Sequence, residues 1–256
     1  MGERRVVMLA GPGAVTPMLY HELAGRFGPV QVIMEAPMSR VDFMRRRARK
    51  LGWVKVGHQT LFQAVVAPAL RLEGRRRIHE IQRAYDLRRE PIPPGQISAV
   101  PSVNSEEARQ ALQRFNPEVV VISATRIVSK ATLACVDAPF INLHTGITPF
   151  YRGVHGGYWA LRQREPERFG VTVHLVDPGI DTGEILAQRV IQPSKDDNFA
   201  TYPYLQFAHG VPMVGQAVEA LLGGETPGWE VRARGSRLWS HPTVVSYLRG
   251  RSYGVR

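Results

Sequence analysis

Residues 5–34 read RVVMLAGPGAVTPMLYHELAGRFGPVQVIM, and this stretch decides the fold. The apolar run 5–10 predicts a buried strand, and apolar residues at helical spacing predict a helix over 17–27, with Pro17 at its first position. Residues 30–34 predict a second strand. A strand, a helix and a strand in this order are typical of a parallel sheet covered by helices. We therefore predict an α/β, Rossmann-like fold with a mostly parallel sheet flanked by helices.

The rest of the chain continues the alternation of strands and helices. Apolar runs predict strands at 97–100, 119–122, 140–144, 170–177 and 184–191, and helices are predicted at 104–115 and 199–222. Residues 229–239 predict a short hairpin. We expect one domain over 1–256, with a helical insertion at about 39–92 and a short C-terminal extension at about 224–256.

The predicted insertion after the second strand is strongly basic. Residues 40–90 hold 14 Lys and Arg against 5 Asp and Glu, a balance of 14 − 5 = +9 within a formal net charge of +11. The pattern is helical, and Pro68 predicts a break between two helices. Such density fits contact with phosphates, nucleic acid or an anionic membrane surface, but equally a solvated helical face or a charged contact between subunits.

Composition limits the class of protein. The 256-residue chain is 44% hydrophobic and contains no apolar run long enough to predict a transmembrane segment. Cys135 is the single cysteine, so no intramolecular disulfide can form, and we expect a cytoplasmic protein with Cys135 as a packed thiol. No histidine or carboxylate spacing predicts a metal site, and no serine lies in a nucleophile elbow.

Three polar side chains form the candidate chemical centre. Asn142 and His144 end a predicted strand and share one of its faces, because alternate residues of a strand point the same way. Asp181 lies in a later turn. An amide and a histidine can hold the oxygen of a carbonyl that an amine attacks, while a carboxylate keeps the histidine protonated and receives the proton of the amine. This chemistry fits acyl transfer to nitrogen, although strand-end Asn and His also commonly only fill turns.

Two stretches resemble a known family. Residues 141–153, INLHTGITPFYRG, and 177–186, DPGIDTGEIL, are similar to the signature of the folate-dependent formyltransferases. That family includes glycinamide ribonucleotide formyltransferase, methionyl-tRNA formyltransferase and the formyltransferases of amino sugars. The similarity covers roughly 117–222 and, more loosely, the first strand and helix. It implies an N-formyltransferase that uses 10-formyltetrahydrofolate as co-substrate, without a metal.

The resemblance also implies roles for individual residues. It implies that Asn142 and His144 polarise the formyl oxygen. It implies that Asp181 orders a water and steers the proton from the attacking amine. It places Thr172 where relatives have a hydroxyl near the catalytic water. The implied folate-binding residues lie in two segments: Arg126, Ile127, Val128, Pro178, Gly179, Ile180 and Thr182.

Several residues have two possible roles. Gly11 and Gly13 resemble a phosphate-binding loop but lack the full dinucleotide pattern. Arg152 can bind a substrate phosphate or pair with a carboxylate. His155 can contact the acceptor or only form a turn. His174 fits a core position or a supporting position behind the catalytic residues.

The acceptor is the open question. Residues 146–149, GITP, replace the Ser-Leu-Leu-Pro of relatives, so the acceptor side differs. We favour a nucleotide-linked amino sugar or another specialised biosynthetic amine. Phosphoribosylglycinamide ranks second, because its enzymes have polar residues in the first loop where this chain has Pro12, Ala14 and Val15. Methionyl-tRNA, a non-catalytic module binding nucleic acid or membrane, and a hydrolase that uses water as acceptor are further alternatives. A homodimer is possible.

Overall fold

The fold is centred on one seven-stranded sheet. The computed structural model describes residues 4–39, 44–45, 48–49, 51–225, 228, 235–252 and 254–255. The sheet strands are β1 Val6–Ala10, β2 Gln31–Glu35, β3 Ile97–Val100, β4 Val119–Ser123, β5 Phe140–His144, β7 Gly170–Leu175 and β8 Ile185–Val190. Their order is β3-β2-β1-β4-β5-β7-β8.

Five of these strands are parallel. Val32, Met8 and Val121 lie side by side on β2, β1 and β4, and β3 and β5 extend the pairing outwards. Every residue of β1 and of β4 is buried, as expected for central strands covered on both faces. The predicted Rossmann-like sheet is confirmed.

Two antiparallel strands complete the sheet beside β5. β7 pairs with β5 so that Asn142 lies opposite His174 and His144 lies opposite Thr172. β8 then pairs with β7 as a return strand. The register therefore places a second histidine next to the predicted catalytic residues, and the β7–β8 turn lies beside them.

Helices cover both faces of the sheet. The helices are α1 Val15–Phe27, α2 Trp53–Leu61, α3 Ala67–Glu73, α4 Arg75–Ala84, α5 Glu106–Phe115, α6 Lys130–Leu133, α7 Gly156–Arg162, α8 Tyr202–Leu222 and α9 Val244–Arg251. One core contains Met8 and Val121 with the buried faces of α1 and α8. The other contains Leu9 and Val120 with α5. Alternate residues of each central strand thus supply opposite cores.

The segment between β2 and β3 is helical and packs against α8. A π-helical stretch, Phe62–Val66, joins α2 to α3. No break is found at Pro68: the helix continues from α2 through the π-helical stretch into α3, and the irregularity just before Pro68 is that π-helical stretch. The helix ends at Gly74 instead. Arg46, Arg47 and Lys50 of the basic run lie outside the described residues.

The C-terminal segment forms a strand pairing that was not predicted. β9, Arg237–Trp239, pairs in parallel with a short strand that the sequence did not indicate, β6 Tyr151–Gly153. Residues 229–234, which would form the other strand of the predicted hairpin, lie outside the described residues, so the hairpin over 229–239 stays a prediction. Within the part of the chain that the structure describes, no helix has the length and apolarity needed to cross a membrane.

Candidate active site

The predicted trio converges at one edge of the sheet. Asn142 and His144 lie on β5, whose carboxyl end meets the turn between β7 and β8 that carries Asp181. His144 Nδ1 lies 3.4 Å from Asp181 Oδ2. Asn142 reaches the same carboxylate through His174, because Asn142 Nδ2 lies 3.2 Å from His174 Nε2, which lies 3.6 Å from Asp181 Oδ1. Ligands of open parallel sheets bind at this edge.

Asp181 is held as an ionised carboxylate. Its φ is 50°, a left-handed conformation that Asp tolerates better than most residues, and the backbone N–H of Gly153 donates to Oδ2 at 2.7 Å. Burial alone raises its pKa, but the attraction of His144 once that ring is protonated at low pH, the hydrogen bond with His174 and the Gly153 N–H outweigh burial and lower the pKa to about 2. Asp181 therefore carries a negative charge throughout the physiological pH range.

Burial favours the neutral form of the His144 imidazole at neutral pH. Its side chain is 5% exposed, and burial lowers its pKa below 6.5 despite the opposing effect of Asp181 and of the Tyr151 carbonyl. Nε2–H donates to the Tyr151 carbonyl oxygen at 2.6 Å, so Nδ1 faces Asp181. Burial thus favours the neutral ring and Asp181 favours the charged one, and the protonation of this histidine by the carboxylate stays a prediction.

Gly146 makes room for this ring. A Cβ on Gly146 would lie 2.6 Å from His144 Nε2 and 2.5 Å from the Tyr151 oxygen. The segment that follows β5 must therefore pass the imidazole without a side chain.

His174 supports the trio directly, a role that the sequence pattern left open. It is 3% exposed, Nδ1 lies 2.7 Å from the Leu175 carbonyl oxygen, and Nε2 faces both Asn142 and Asp181. The supporting position is thus the one the contacts favour, directly behind the trio. The signal was the alternation of Thr172 and His174 on β7, but it needs the β5–β7 register to become informative.

Thr172 does not line an open surface. It is fully buried, and its hydroxyl donates to the Gly146 carbonyl at 2.8 Å while accepting from the Thr148 N–H and from Gln188. Its position as a substrate-binding residue finds no support in these contacts, because every hydrogen-bonding direction is used to fix the segment after His144. Gln188 was not predicted and shares this work.

The loop after β4 is anchored by a buried carboxylate. Glu35, 6% exposed, accepts from the Arg126 N–H at 2.8 Å and lies 2.6 Å from Arg126 Nε. The Ile127 side chain is 60% exposed, whereas Val128 is packed in the core. Of the predicted folate-binding loop, Ile127 therefore presents a side chain outward, and Val128 can contribute only backbone groups.

The turn before Asp181 is fixed by a residue that was not predicted. Asp177 accepts from the Thr182 hydroxyl at 2.7 Å and from the Gly179 N–H at 3.0 Å. Pro178, Gly179 and Thr182 are exposed. The Thr182 hydroxyl thus closes the turn, and the backbone of the turn remains open to a ligand.

Arg152 also supports this turn. Its Nη1 donates to the Ile180 carbonyl oxygen at 3.3 Å, and its Nε is buried without a partner among the described atoms. The alternative in which Arg152 pairs with a carboxylate is not found among the described residues. A buried, unpaired guanidinium nitrogen beside the site leaves its binding role open.

Gly11 and Gly13 have a packing reason to be glycine. A Cβ on Gly13 would lie 2.6 Å from the Ala124 Cβ, and one on Gly11 would overlap the Ala124 carbonyl. The first loop therefore packs tightly on the segment that leads to Arg126, which explains both glycines without a phosphate.

His155 lies at a sharp turn and contacts another histidine. It begins α7 with φ 59°, its Nε2 lies 2.9 Å from His241 Nδ1, and its ring packs on Phe199. The turn interpretation of His155 is supported. Its partner, His241, lies 86 positions later in the chain.

The site consists of an amide, two imidazoles and one carboxylate. Among the described residues, no group of three or more His, Cys, Asp or Glu side chains is arranged to hold a metal ion. An ionised carboxylate beside a neutral imidazole can accept a proton and stabilise positive charge, and an amide N–H can stabilise developing negative charge. Together these groups can support acyl transfer to an amine.

The chain is similar in sequence to known proteins. A family model described as formyl transferase matches residues 65–203. A methionyl-tRNA formyltransferase of Caldanaerobacter subterraneus subsp. tengcongensis is 37% identical over 99 residues, 38% of this chain and 32% of that protein. Matches to such curated relatives span between 31% and 49% of their length.

Solved structures extend the similarity over most of the chain. A sugar N-formyltransferase from a Shewanella species superposes with a TM-score of 0.56 at 15% identity, covering 96% of this chain and 86% of that one. Phosphoribosylglycinamide formyltransferase of Streptococcus pneumoniae gives 0.54 at 18% identity, covering 86% and 99%. The Helicobacter canadensis N-formyltransferase, in complex with folinic acid and dTDP-3-aminofucose, gives 0.55 at 15% identity, covering 91% and 70%.

The family model covers more than half of the chain and includes β4, β5, β7 and the turn with Asp181. The resemblance noted in the sequence is confirmed. This chain belongs to the formyl transferase family.

Proposed function

We propose that this protein transfers a formyl group from 10-formyltetrahydrofolate to the amine of a nucleotide-linked amino sugar. One observation carries the proposal: Asn142, His144 and Asp181 come from two distant segments and meet at the carboxyl edge of the sheet, with Asp181 ionised. No other cluster among the described residues combines an amide donor, a neutral imidazole and a buried carboxylate in this way.

The residues around the site fit a reduced folate. Arg126 is locked to Glu35, so the backbone of 126–128 is held rigid, and the apolar side chain of Ile127 is available to an aromatic ring. The exposed turn of Pro178, Gly179 and Thr182 faces solvent on the other segment. When bound there, the co-substrate supplies the formyl group.

The side chains stabilise the charges that develop as the amine attacks the formyl carbon. The Asn142 amide donates to the formyl oxygen, which becomes negative as the amine attacks. The nitrogen of the amine becomes positive at the same time, and Asp181 stabilises that charge and takes the proton. Nδ1 of His144, kept neutral by burial, lies 3.4 Å from Asp181 and receives the proton in turn. The bond between the formyl carbon and the folate nitrogen then breaks, and the proton passes to that nitrogen, so that tetrahydrofolate leaves. His174 holds the Asn142 amide and the far oxygen of Asp181.

Two comparisons support a sugar acceptor. The sugar N-formyltransferase from Shewanella superposes over 96% of this chain and 86% of its own length. The Helicobacter canadensis enzyme binds a nucleotide-linked aminosugar together with a folate. The fold is shared with phosphoribosylglycinamide formyltransferases as well, so the acceptor must be decided by assay.

The test is an acceptor screen with the purified protein and 10-formyltetrahydrofolate. Nucleotide-linked amino sugars, glycinamide ribonucleotide and methionyl-tRNA are supplied separately, and both tetrahydrofolate release and product mass are measured. With an amino sugar as acceptor we expect a product about 28 mass units heavier, which corresponds to one added CO. The other two acceptors should give no product, and neither should His144→Ala. Formylation of glycinamide ribonucleotide instead would refute the acceptor, and tetrahydrofolate release without any acceptor would indicate a hydrolase.

A further inference from the structure

A second cavity lies between the helical segment and α8. Its volume is about 370 Å³, within the range of small-ligand sites, and it shares no lining residue with the proposed active site. Its lining includes Arg71, Arg75, Arg89, His79, Leu72 and Tyr204. Among the described residues no acidic side chain lines it, so at least three positive charges face one small space.

The arginines of α4 differ in how their charge is compensated. The helix begins with three of them in succession, at the end where the helix dipole already favours negative charge. Arg76 lies 2.9 Å from Glu80, and Arg77 lies 3.0 Å from the fully buried Asp197. Within the described part of the chain, Arg75 pairs with no carboxylate. The uncompensated arginine is the one that lines the cavity.

The spacing makes this arrangement unfavourable by itself. Arg71 and Arg75 lie four residues apart, on either side of Gly74, and both line the cavity. Like charges at this spacing repel. Arg71 is fixed by donating from Nη2 to the Tyr204 hydroxyl at 3.1 Å, so it cannot simply turn away. An anion bound between these side chains would remove the repulsion.

The cavity also has an apolar side. Pro68, Leu72 and Ile78 line it together with the ring of Tyr204, and Leu72 is 72% exposed. Guanidinium groups match phosphate oxygens in pairs, and three of them suit a group with more than one charge. The exposed apolar side chain of Leu72 suits a flat ring attached to that group, whereas Tyr204 is 6% exposed and acts by accepting from Arg71. The lining therefore fits an organic diphosphate with a ring.

We propose that this cavity is a second ligand site, which binds a nucleoside diphosphate or a similar organic diphosphate. The diphosphate lies among Arg71, Arg75 and Arg89, and its ring lies against Leu72. The cavity has a volume of about 370 Å³, which suits a small molecule, so we favour this class over a nucleic-acid strand. The proposal does not depend on which amine is formylated.

Isothermal titration calorimetry at low salt tests the site, with inorganic pyrophosphate and UDP as probes. We expect Arg75→Gln and Arg89→Gln each to weaken binding of both probes at this site by about tenfold or more. Arg76→Gln is the matched control: it removes the same charge from the neighbouring position, outside the cavity, and should leave the dissociation constant unchanged. UDP should bind more tightly than pyrophosphate because of the apolar wall.

The outcomes are distinguishable from those at the active site. If UDP also binds at the active site, the wild-type protein shows two sites and Arg75→Gln shows one, while formyl transfer by that variant is unchanged. Equal weakening in all three variants, or no binding to the wild-type protein, overturns the proposal. So does an RNA oligonucleotide that binds and is not displaced by UDP, because that result indicates a polyanion surface.

Discussion

The edge of the sheet around Asp181 and the helical segment around Arg75 handle charge in opposite ways. Asp181 is largely buried, yet two imidazoles and a backbone N–H surround its oxygens. Arg75 is exposed, yet it faces Arg71 and Arg89 across a cavity. A buried charge must be compensated by the fold, whereas an exposed charge that the fold leaves uncompensated can be kept for a partner. The two regions therefore respond differently to loss of charge.

The largest expected effect is on activity, from Asp181→Asn. The variant keeps the size of the side chain and its acceptor for the Gly153 N–H but loses the negative charge, so formyl transfer should fall by about 100- to 10,000-fold. Steady-state kinetics of tetrahydrofolate release measure it. Asp177→Asn, in the same turn, is the control and should retain most of the activity. Comparable losses in both variants would assign the effect to the turn and not to the carboxylate.

The next effect is on stability, from Asp197→Asn. Asp197 is fully buried and accepts hydrogen bonds from Arg77, the Ser194 N–H and the Thr201 hydroxyl. An amide would point donors at these donors, so the free energy of unfolding should fall by about 3 kcal/mol in urea denaturation. This pair shows that the helical segment does compensate a charge where it buries one.

The sign of its pH dependence gives an internal check. Although burial raises the pKa of Asp197, the Arg77 and Ser194 hydrogen bonds lower it below 3.8. A depressed folded-state pKa contributes stability above 3.8 that is lost as the pH falls through the folded-state value. The difference between the wild-type protein and Asp197→Asn should therefore shrink below about pH 4. A difference that stays constant down to pH 2 would mean that packing, and not charge, explains the loss.

How far the sequence could predict the molecule follows from the same contrast. The parallel half of the sheet was predictable, because strands such as Val119–Ser123 are continuously apolar and separated by helical patterns. Asn142, His144 and Asp181 were predictable as a group from strand alternation and family resemblance. Their protonation was not, because the lowered pKa of His144 depends on burial that the sequence does not display.

Other features required tertiary structure. β6 has only three residues and pairs with β9 more than eighty positions later, so no local pattern identifies it. Glu35 looks like the end of an ordinary strand until the loop of Arg126 closes over it. The pairing of Arg76 with Glu80 is readable from spacing, whereas that of Arg77 with Asp197 is not. Local signals predict local contacts, and the charges that decide function are matched over long distances.

The protonation of His144 provides a smaller, direct test of the first region. Burial lowers its pKa below 6.5 and Asp181 opposes this, so Asp181→Asn should move the titration of His144 to still lower pH. NMR chemical shifts of the imidazole measure it. Because the folded-state pKa is depressed, the free energy of unfolding should decline as the pH drops below 6.5 towards the folded-state value. A titration above 6.5 would contradict the neutral imidazole on which the proton transfer depends.

The smallest effect concerns Arg75 and has the opposite sign. Arg75→Gln removes a positive charge from the start of α4 and from between Arg71 and His79, so without ligand the protein should become more stable by about 0.3–1 kcal/mol. Arg76→Gln also relieves the helix dipole but loses the contact with Glu80, so its net change should lie within about 0.5 kcal/mol of zero. Urea denaturation at low and high salt separates the two, because salt should abolish the gain of Arg75→Gln. A higher free energy of unfolding for Arg75→Gln, with no such increase for Arg76→Gln, would show that Arg75 destabilises the free protein. That result would support a role for Arg75 in binding a ligand in the cavity. Equal changes in the free energy of unfolding for both variants would indicate that the arginines of α4 only form a solvated helical face.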